Sequence, residues 1–294
     1  METFTREEMM KMAADTRKNV TSSEVSDAEL MQYPVHMEEI TVPVRGGETK
    51  VYYSYLEKGK HLDALIVNFH GGGFIKARTR SDELFCRELN HLIGCKVMDV
   101  DYHIAPEYPY PFAVEECLDT VNWIFEHSGD YQVDPGKIML LGHSAGGNLA
   151  IVTQMQLLAG GFGRQPLCLA VEYPPLDLYT DPEEKPARGQ GIPPERARLY
   201  NLYYCERERQ REPYVSPVYA EEEKLRGFPP TLILTAGKDD LCTEAEEFAL
   251  KLARCGNEVT LKRVEGAGHA FTVYRKEKHR EGMETIVGYL KKFL

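Results

Sequence analysis

Several things are scarce in this sequence. Its seven cysteines, Cys86, Cys95, Cys117, Cys168, Cys205, Cys242 and Cys255, are odd in number, and no two stand in a C-x-x-C spacing. They suggest neither a disulfide framework nor a zinc cluster. Basic residues are in deficit: 35 Lys and Arg stand against 46 Asp and Glu, a formal net charge of −11. A chain of that sign repels nucleic acid and anionic lipid surfaces on average, so no nucleic-acid partner is expected. The opening stretch METFTREEMMKMAADTRK lacks an apolar core, so no signal peptide is expected. Free thiols without an export signal predict the reducing cytoplasm. Residues 138–162 contain no Lys, Arg, Asp or Glu, but His143, Asn148, Gln154, Gln156 and several glycines interrupt them. A membrane helix needs about 20 mostly apolar residues, so no membrane insertion is expected. The run reads as a buried strand, a tight turn and a buried helix.

What is present is ordinary for a globular protein. Of 294 residues, 43% are hydrophobic and 28% charged, which excludes intrinsic disorder. A chain of this length buries roughly three quarters of its unfolded surface and needs no covalent staple. Residues 38–45 and 49–57 read as a β-hairpin around Gly46 and Gly47. An alternation follows, with strands at 64–69, 95–101, 137–141, 168–173, 231–236 and 258–264. Helices are expected at 81–92, 112–127, 146–159, 243–255 and 277–294. Such alternation predicts one α/β domain over 1–294, a mostly parallel sheet with helices on both faces. Residues 1–36 look helical, and 179–212 carry no strand signal but hold Leu199, Leu202, Tyr203 and Tyr204. These two segments are expected to form a small helical cap.

Two glycine-rich motifs carry the chemistry. Gly142-His143-Ser144-Ala145-Gly146 follows one strand and opens one helix. In that context G-x-S-x-G reads as a nucleophile elbow, a strained turn that lifts the serine hydroxyl off the sheet. It also places the Ala145 N–H at a helix N-terminus, where negative charge is favoured. His70-Gly71-Gly72-Gly73-Phe74 follows another strand. Three glycines destabilise regular structure but let backbone N–H groups approach a developing oxyanion.

A serine hydroxyl needs a base, and that base needs an orienting acid. Of nine histidines, His269 lies in a glycine-containing loop just after a strand, where α/β sheets present active residues. His36, His61, His91 and His127 sit in polar or helical contexts, and His279 reads as exposed helix surface. Asp239 and Asp240 both stand at the end of the strand 231–236, and either could instead cap the next helix. The order Ser, Asp, His follows.

The stretches HGGGF (70–74), DYHIAPEYPYPFAVEE (101–116), GHSAGGNLA (142–150), EYPPLD (172–177), VSP (215–217), AGKDDL (236–241) and GAGHAF (266–271) together resemble the hormone-sensitive-lipase-like esterases of the α/β-hydrolase fold. The resemblance implies Ser144 as nucleophile, His269 as base and Asp239 as its partner. It implies an oxyanion hole from the N–H groups of Gly72, Gly73 and Ala145, with Gly71 a further candidate. It implies a small-molecule ester substrate with a short acyl chain and no metal or organic cofactor; relatives of this kind often dimerise through sheet edges, so a homodimer is one candidate assembly. The chain departs from the family pattern at His143, where Asp or Glu is usual, at His103, where arginine is common, and at Asp240, where proline is usual. Two other readings share the fold: an amide hydrolase such as an arylformamidase, and a non-catalytic ligand-binding member.

Overall fold

The computed structural model describes residues 5–19, 25–57 and 62–294. His61 and parts of the expected N-terminal cap segment, 1–4 and 20–24, lie outside the described residues. The strands are β1 (His36–Val44), β2 (Gly47–Tyr55), β3 (Leu65–Phe69), β4 (Lys96–Asp101), β5 (Ile138–His143), β6 (Leu169–Glu172), β7 (Thr231–Ala236) and β8 (Val259–Val264). They form one sheet in the order β1-β2-β4-β3-β5-β6-β7-β8. The first two pairings, β1 with β2 and β2 with β4, are antiparallel, and the rest are parallel.

The helices are α1 (Arg6–Asn19), α2 (Asp27–Leu30), α3 (Arg80–Ile93), α4 (Phe112–His127), α5 (Ala145–Gly160), α6 (Pro194–Tyr204), α7 (Cys242–Arg254) and α8 (His279–Leu290). Side chains alternate across each strand, and the core divides accordingly. Leu65, Val67, Phe69, Ile138, Leu140, Leu169, Val171 and Ile233 face α4, α5 and α7. Ile66, Met139, Leu141, Ala170, Leu232 and Leu234 face α3 and α8. Both faces are therefore apolar, as a parallel sheet requires.

The uncharged run is explained by position. β5 is central, between β3 and β6, and every residue from Ile138 to His143 is buried. The helix after it is buried nearly all round, including Leu149, Ile151, Val152 and Met155. Each such side chain contributes roughly 1.5–3 kcal/mol on leaving water. A charge almost anywhere in this stretch would be stranded without a partner.

Some boundaries differ from the sequence expectation. The hairpin register pairs Val44 with Gly47, so Arg45 and Gly46 make the turn in place of the expected Gly46 and Gly47. The first strand begins at His36, inside the segment expected to be helical. The closing helix stops at Leu290 and tightens into a 3-10 turn over Lys291–Phe293. His279 is half-buried at the start of that helix, with Nδ1 2.6 Å from the Thr272 carbonyl and Nε2 3.2 Å from Glu88, where an exposed residue was expected. Contact with that buried carboxylate and with the Thr272 carbonyl draws its ring inward. The segment 179–212 contains α6 and two 3-10 turns and, as expected, no strand.

Candidate active site

The elbow is built by the tight passage from β5 into α5. Ser144 sits between them at φ 53 and ψ −123, backbone space that a non-glycine residue occupies at a cost of about 1–3 kcal/mol. The turn is held by the Ser144 N–H donating to the Glu172 carbonyl at 2.9 Å and by the Gly147 N–H donating back to the Ser144 carbonyl at 2.9 Å. Its flanking glycines are required by close approach. A Cβ on Gly142 would lie 2.3 Å from the Gly146 carbonyl oxygen, and one on Gly146 would lie 1.9 Å from the Phe69 carbonyl oxygen. Neither contact is tolerable against backbone.

The structure brings the three sequence-predicted side chains together from three loops. Ser144 Oγ lies 3.0 Å from His269 Nε2, and His269 Nδ1 lies 2.6 Å from Asp239 Oδ2. Asp239 is fully buried. A carboxylate against Nδ1 takes the N–H there, which leaves Nε2 to accept the serine proton. The loop carrying His269 is itself pinned: its N–H donates to the Gln190 carbonyl at 3.0 Å, and its carbonyl accepts from Lys276 Nζ at 2.9 Å. The geometry also separates the two neighbouring aspartates. Asp240 accepts the Arg188 N–H through Oδ1, and its carboxylate packs where a Gly191 side chain would be. It anchors the 188–191 loop and does not meet His269.

The glycine loop after β3 lies opposite the elbow. Gly72 and Gly73 adopt φ +121 and +61, with Lys76 and the Tyr200 ring filling the space a Cβ would need. Ala145 opens α5, so its N–H is among those a helix leaves without an intrahelical acceptor. Gly71 differs from the other three expected donors. Its N–H points at His143 Nε2, 2.8 Å away, so that donor is engaged beneath the elbow. His70 supports the same loop: it is buried, stacks on Tyr102 with ring centres 4.2 Å apart, and its carbonyl accepts the Tyr102 hydroxyl at 2.9 Å.

Under the elbow lies a polar layer that sequence reasoning missed. His143 Nε2 is 2.9 Å from Asp82 Oδ1, and Asp82 Oδ2 accepts the N–H and hydroxyl of Thr79. Burial alone would raise the Asp82 carboxyl, but its hydrogen bond and attraction to His143 outweigh this and hold it well below the usual range. Glu172, the register partner of His143 on β6, is fully buried and accepts the Thr272 hydroxyl. Burial pushes its carboxyl up to about 7, with His143 and Thr272 opposing. These contacts join residues 61 and 100 positions apart, so no local pattern announces them.

Two cavities meet at Ser144. One, of about 540 Å³, is lined by Gly71–Gly73, Lys76, Arg196, Tyr200, His269 and Lys276 among others. The other, of about 40 Å³, lies beyond Gly73, Ile192 and Tyr200 and is mostly apolar. Among the described residues no group of three or more His, Cys, Asp or Glu side chains is placed to hold a metal ion. No described helix is long and apolar enough to cross a membrane.

Known proteins resemble this chain over most of its length. A family model described as alpha/beta hydrolase fold matches residues 66–273. An arylesterase of Saccharolobus solfataricus is 28% identical over 239 residues, covering 81% of this chain and 75% of that protein. The carboxylic ester hydrolase LipN of Mycobacterium tuberculosis is 30% identical over 249 residues, covering 82% of this chain and 65% of that protein. The solved structure of a hyperthermophilic esterase from Pyrobaculum calidifontis superposes with a TM-score of 0.81 at 30% identity, covering 98% of this chain and 92% of that one.

Proposed function

Since the chain belongs to the alpha/beta hydrolase fold family, in its hormone-sensitive-lipase-like branch, we propose that it is a serine carboxylic ester hydrolase acting on short-chain acyl esters. The observation that carries this reading is the continuous line from Ser144 Oγ to His269 to Asp239, at 3.0 and 2.6 Å. Ser144 attacks the ester carbonyl as His269 Nε2 takes its proton. Asp239 holds the imidazole in the right tautomer and stabilises the imidazolium that forms. The tetrahedral oxyanion is received by the N–H groups of Gly72, Gly73 and Ala145, each worth on the order of 3 kcal/mol in the transition state. His269 then protonates the leaving alcohol, and water cleaves the acyl-enzyme with the same groups in reversed roles.

The short acyl chain rests on the smaller cavity. At about 40 Å³ it is more than tenfold smaller than the 540 Å³ cavity on the other side of Tyr200, and its mostly apolar lining suits a short acyl chain. The cap reading rests on α1 and α6. Arg17 donates to the carbonyls of Ile75 and Ala105 and pairs with Glu107, while Thr16 meets the Tyr203 hydroxyl at 3.4 Å. Tyr200 packs directly on Gly73, so α6 forms the wall between the two cavities. The test is a series of p-nitrophenyl acetate, butyrate and octanoate. The expected result is turnover of the acetate with kcat/KM falling as the chain lengthens. Octanoate turned over as well as acetate would overturn the short-chain assignment.

A further inference from the structure

The larger cavity at Ser144 has a charge pattern opposite to that of the molecule. The chain carries a formal net charge of −11, yet Lys76, Arg196 and Lys276 all line this one recess. The carboxylate that shares the cavity, Asp82, is buried and committed to Thr79 and His143. Two residues further along α6, Arg198 pairs with Asp181 and Glu183 at 2.7 Å. Arg196 lines the cavity instead, beside the Tyr200 hydroxyl, and among the described residues no carboxylate is in ion-pair range of it. Lys76 is depressed below the ordinary lysine range, by burial first, with Asp82 opposing and the Arg196 guanidinium adding to the fall. The two cations therefore face one cavity closely enough to repel. Half-buried like charges of this kind are relieved when an anion enters between them.

The division of space at the serine decides which half of a substrate meets these cations. The acyl group takes the narrow apolar pocket, so the alcohol half must leave through the larger cavity. We propose that the alcohol half of the substrate carries an anionic group, a carboxylate or a phosphate, recognised by Lys76 and Arg196. This rests on the ester-hydrolase reading above. The reaction is then hydrolysis of an acylated hydroxy acid or phosphorylated alcohol. The Ser144 oxygen bonds the acyl carbon as the acyl–oxygen bond to the alcohol breaks, and His269 passes the proton to the leaving oxygen. Water then releases the short-chain acid. Arg196 supplies a planar fork suited to either anion, and Lys76 adds a point charge. Neither group touches the reacting atoms, so their effect falls on binding and orientation of the alcohol.

Three aryl acetates with the same cleaved bond test this: 4-carbamoylphenyl acetate, 4-carboxyphenyl acetate and 4-phosphonooxyphenyl acetate. The carbamoyl ester is the neutral reference, and each enzyme sample is judged by the ratio of its own kcat/KM values. The expected result is an anionic-to-neutral ratio of about tenfold or more in the wild type, falling as salt is added. The carboxyl and phosphoryl arms tell which anion is preferred. Arg196→Gln and Lys76→Gln should each bring the ratio toward one. Because the ratio is internal to one sample, partial misfolding of a variant does not disturb it. If Lys76→Gln fails to fold, Arg196→Gln on half-exposed α6 carries the test alone. Equal turnover of all three esters by the wild type overturns the proposal and leaves the esterase reading intact. A ratio that survives Arg196→Gln also overturns it. Turnover of none of the three overturns both.

Discussion

The N–H of Gly71 points at Nε2 of His143, 2.8 Å away, so the residue before the elbow serine also fastens the glycine loop facing it. The same nitrogen lies 2.9 Å from Asp82 Oδ1. One ring nitrogen cannot accept from Gly71 and donate to Asp82 at once, so the two contacts belong to different tautomers. With Nε2 unprotonated His143 fastens the glycine loop to the floor of the site, and with Nε2 protonated it holds Asp82 there instead. His143→Ala leaves a buried carboxylate without its partner and should cost about 2 kcal/mol or more of stability, read by urea denaturation. It should lower kcat more than it raises KM, because the displaced loop carries the oxyanion donors.

Asp239 and Asp240 should behave very differently although they are neighbours. Asp239→Asn keeps the shape of the site but removes the acceptor that sets the His269 tautomer, and kcat should fall about 10⁴-fold. Asp240→Asn should cost far less in kcat, since its carboxylate holds only the backbone of Arg188 and the 188–191 loop. Steady-state rates on p-nitrophenyl acetate distinguish the two.

This pair marks the limit of what the sequence could say. The elbow was legible because Gly142, Ser144 and Gly146 stand between an apolar strand and an apolar helix, and their spacing alone dictates the turn. His269 was legible from its loop. Asp239 and Asp240 were not separable by pattern, because both lie in the turn after β7 and only the direction of each side chain differs. The cavity cations were beyond reach, since Lys76 follows the glycine loop while Arg196 comes from α6, and only folding places them on one recess. The polar layer of Asp82, His143 and Glu172 was hidden for the same reason.

Glu172 predicts how stability depends on pH. Its folded value is about 7 against an ordinary 4.5, because burial disfavours the carboxylate. Between those values the native state holds a proton that the unfolded chain does not, so stability rises as pH falls from 7 toward 4.5 and levels off below. Above both values the buried charge costs about 3 kcal/mol. Glu172→Gln should therefore raise Tm at about pH 8 and give no gain near pH 4. Thermal denaturation of both proteins across that range measures it, and a gain that is the same at every pH would contradict the assignment.

Gly146→Ala should be among the most damaging single-methyl additions in the chain. The new carbon would sit 1.9 Å from the Phe69 carbonyl oxygen, and β3 and α5 cannot part without opening the core between them. A loss of at least about 4 kcal/mol is expected, seen as insoluble or unfolded protein by circular dichroism.

The acyl-enzyme is the most direct test of the whole account. Wild-type protein should be mixed rapidly with p-nitrophenyl acetate, quenched in acid and digested for peptide mass analysis. A burst of nitrophenolate matching the enzyme concentration is expected, with one acetyl group on the peptide at Ser144, both absent from Ser144→Ala. Turnover retained by Ser144→Ala, or acetyl found on another residue of an active wild-type enzyme, would contradict it.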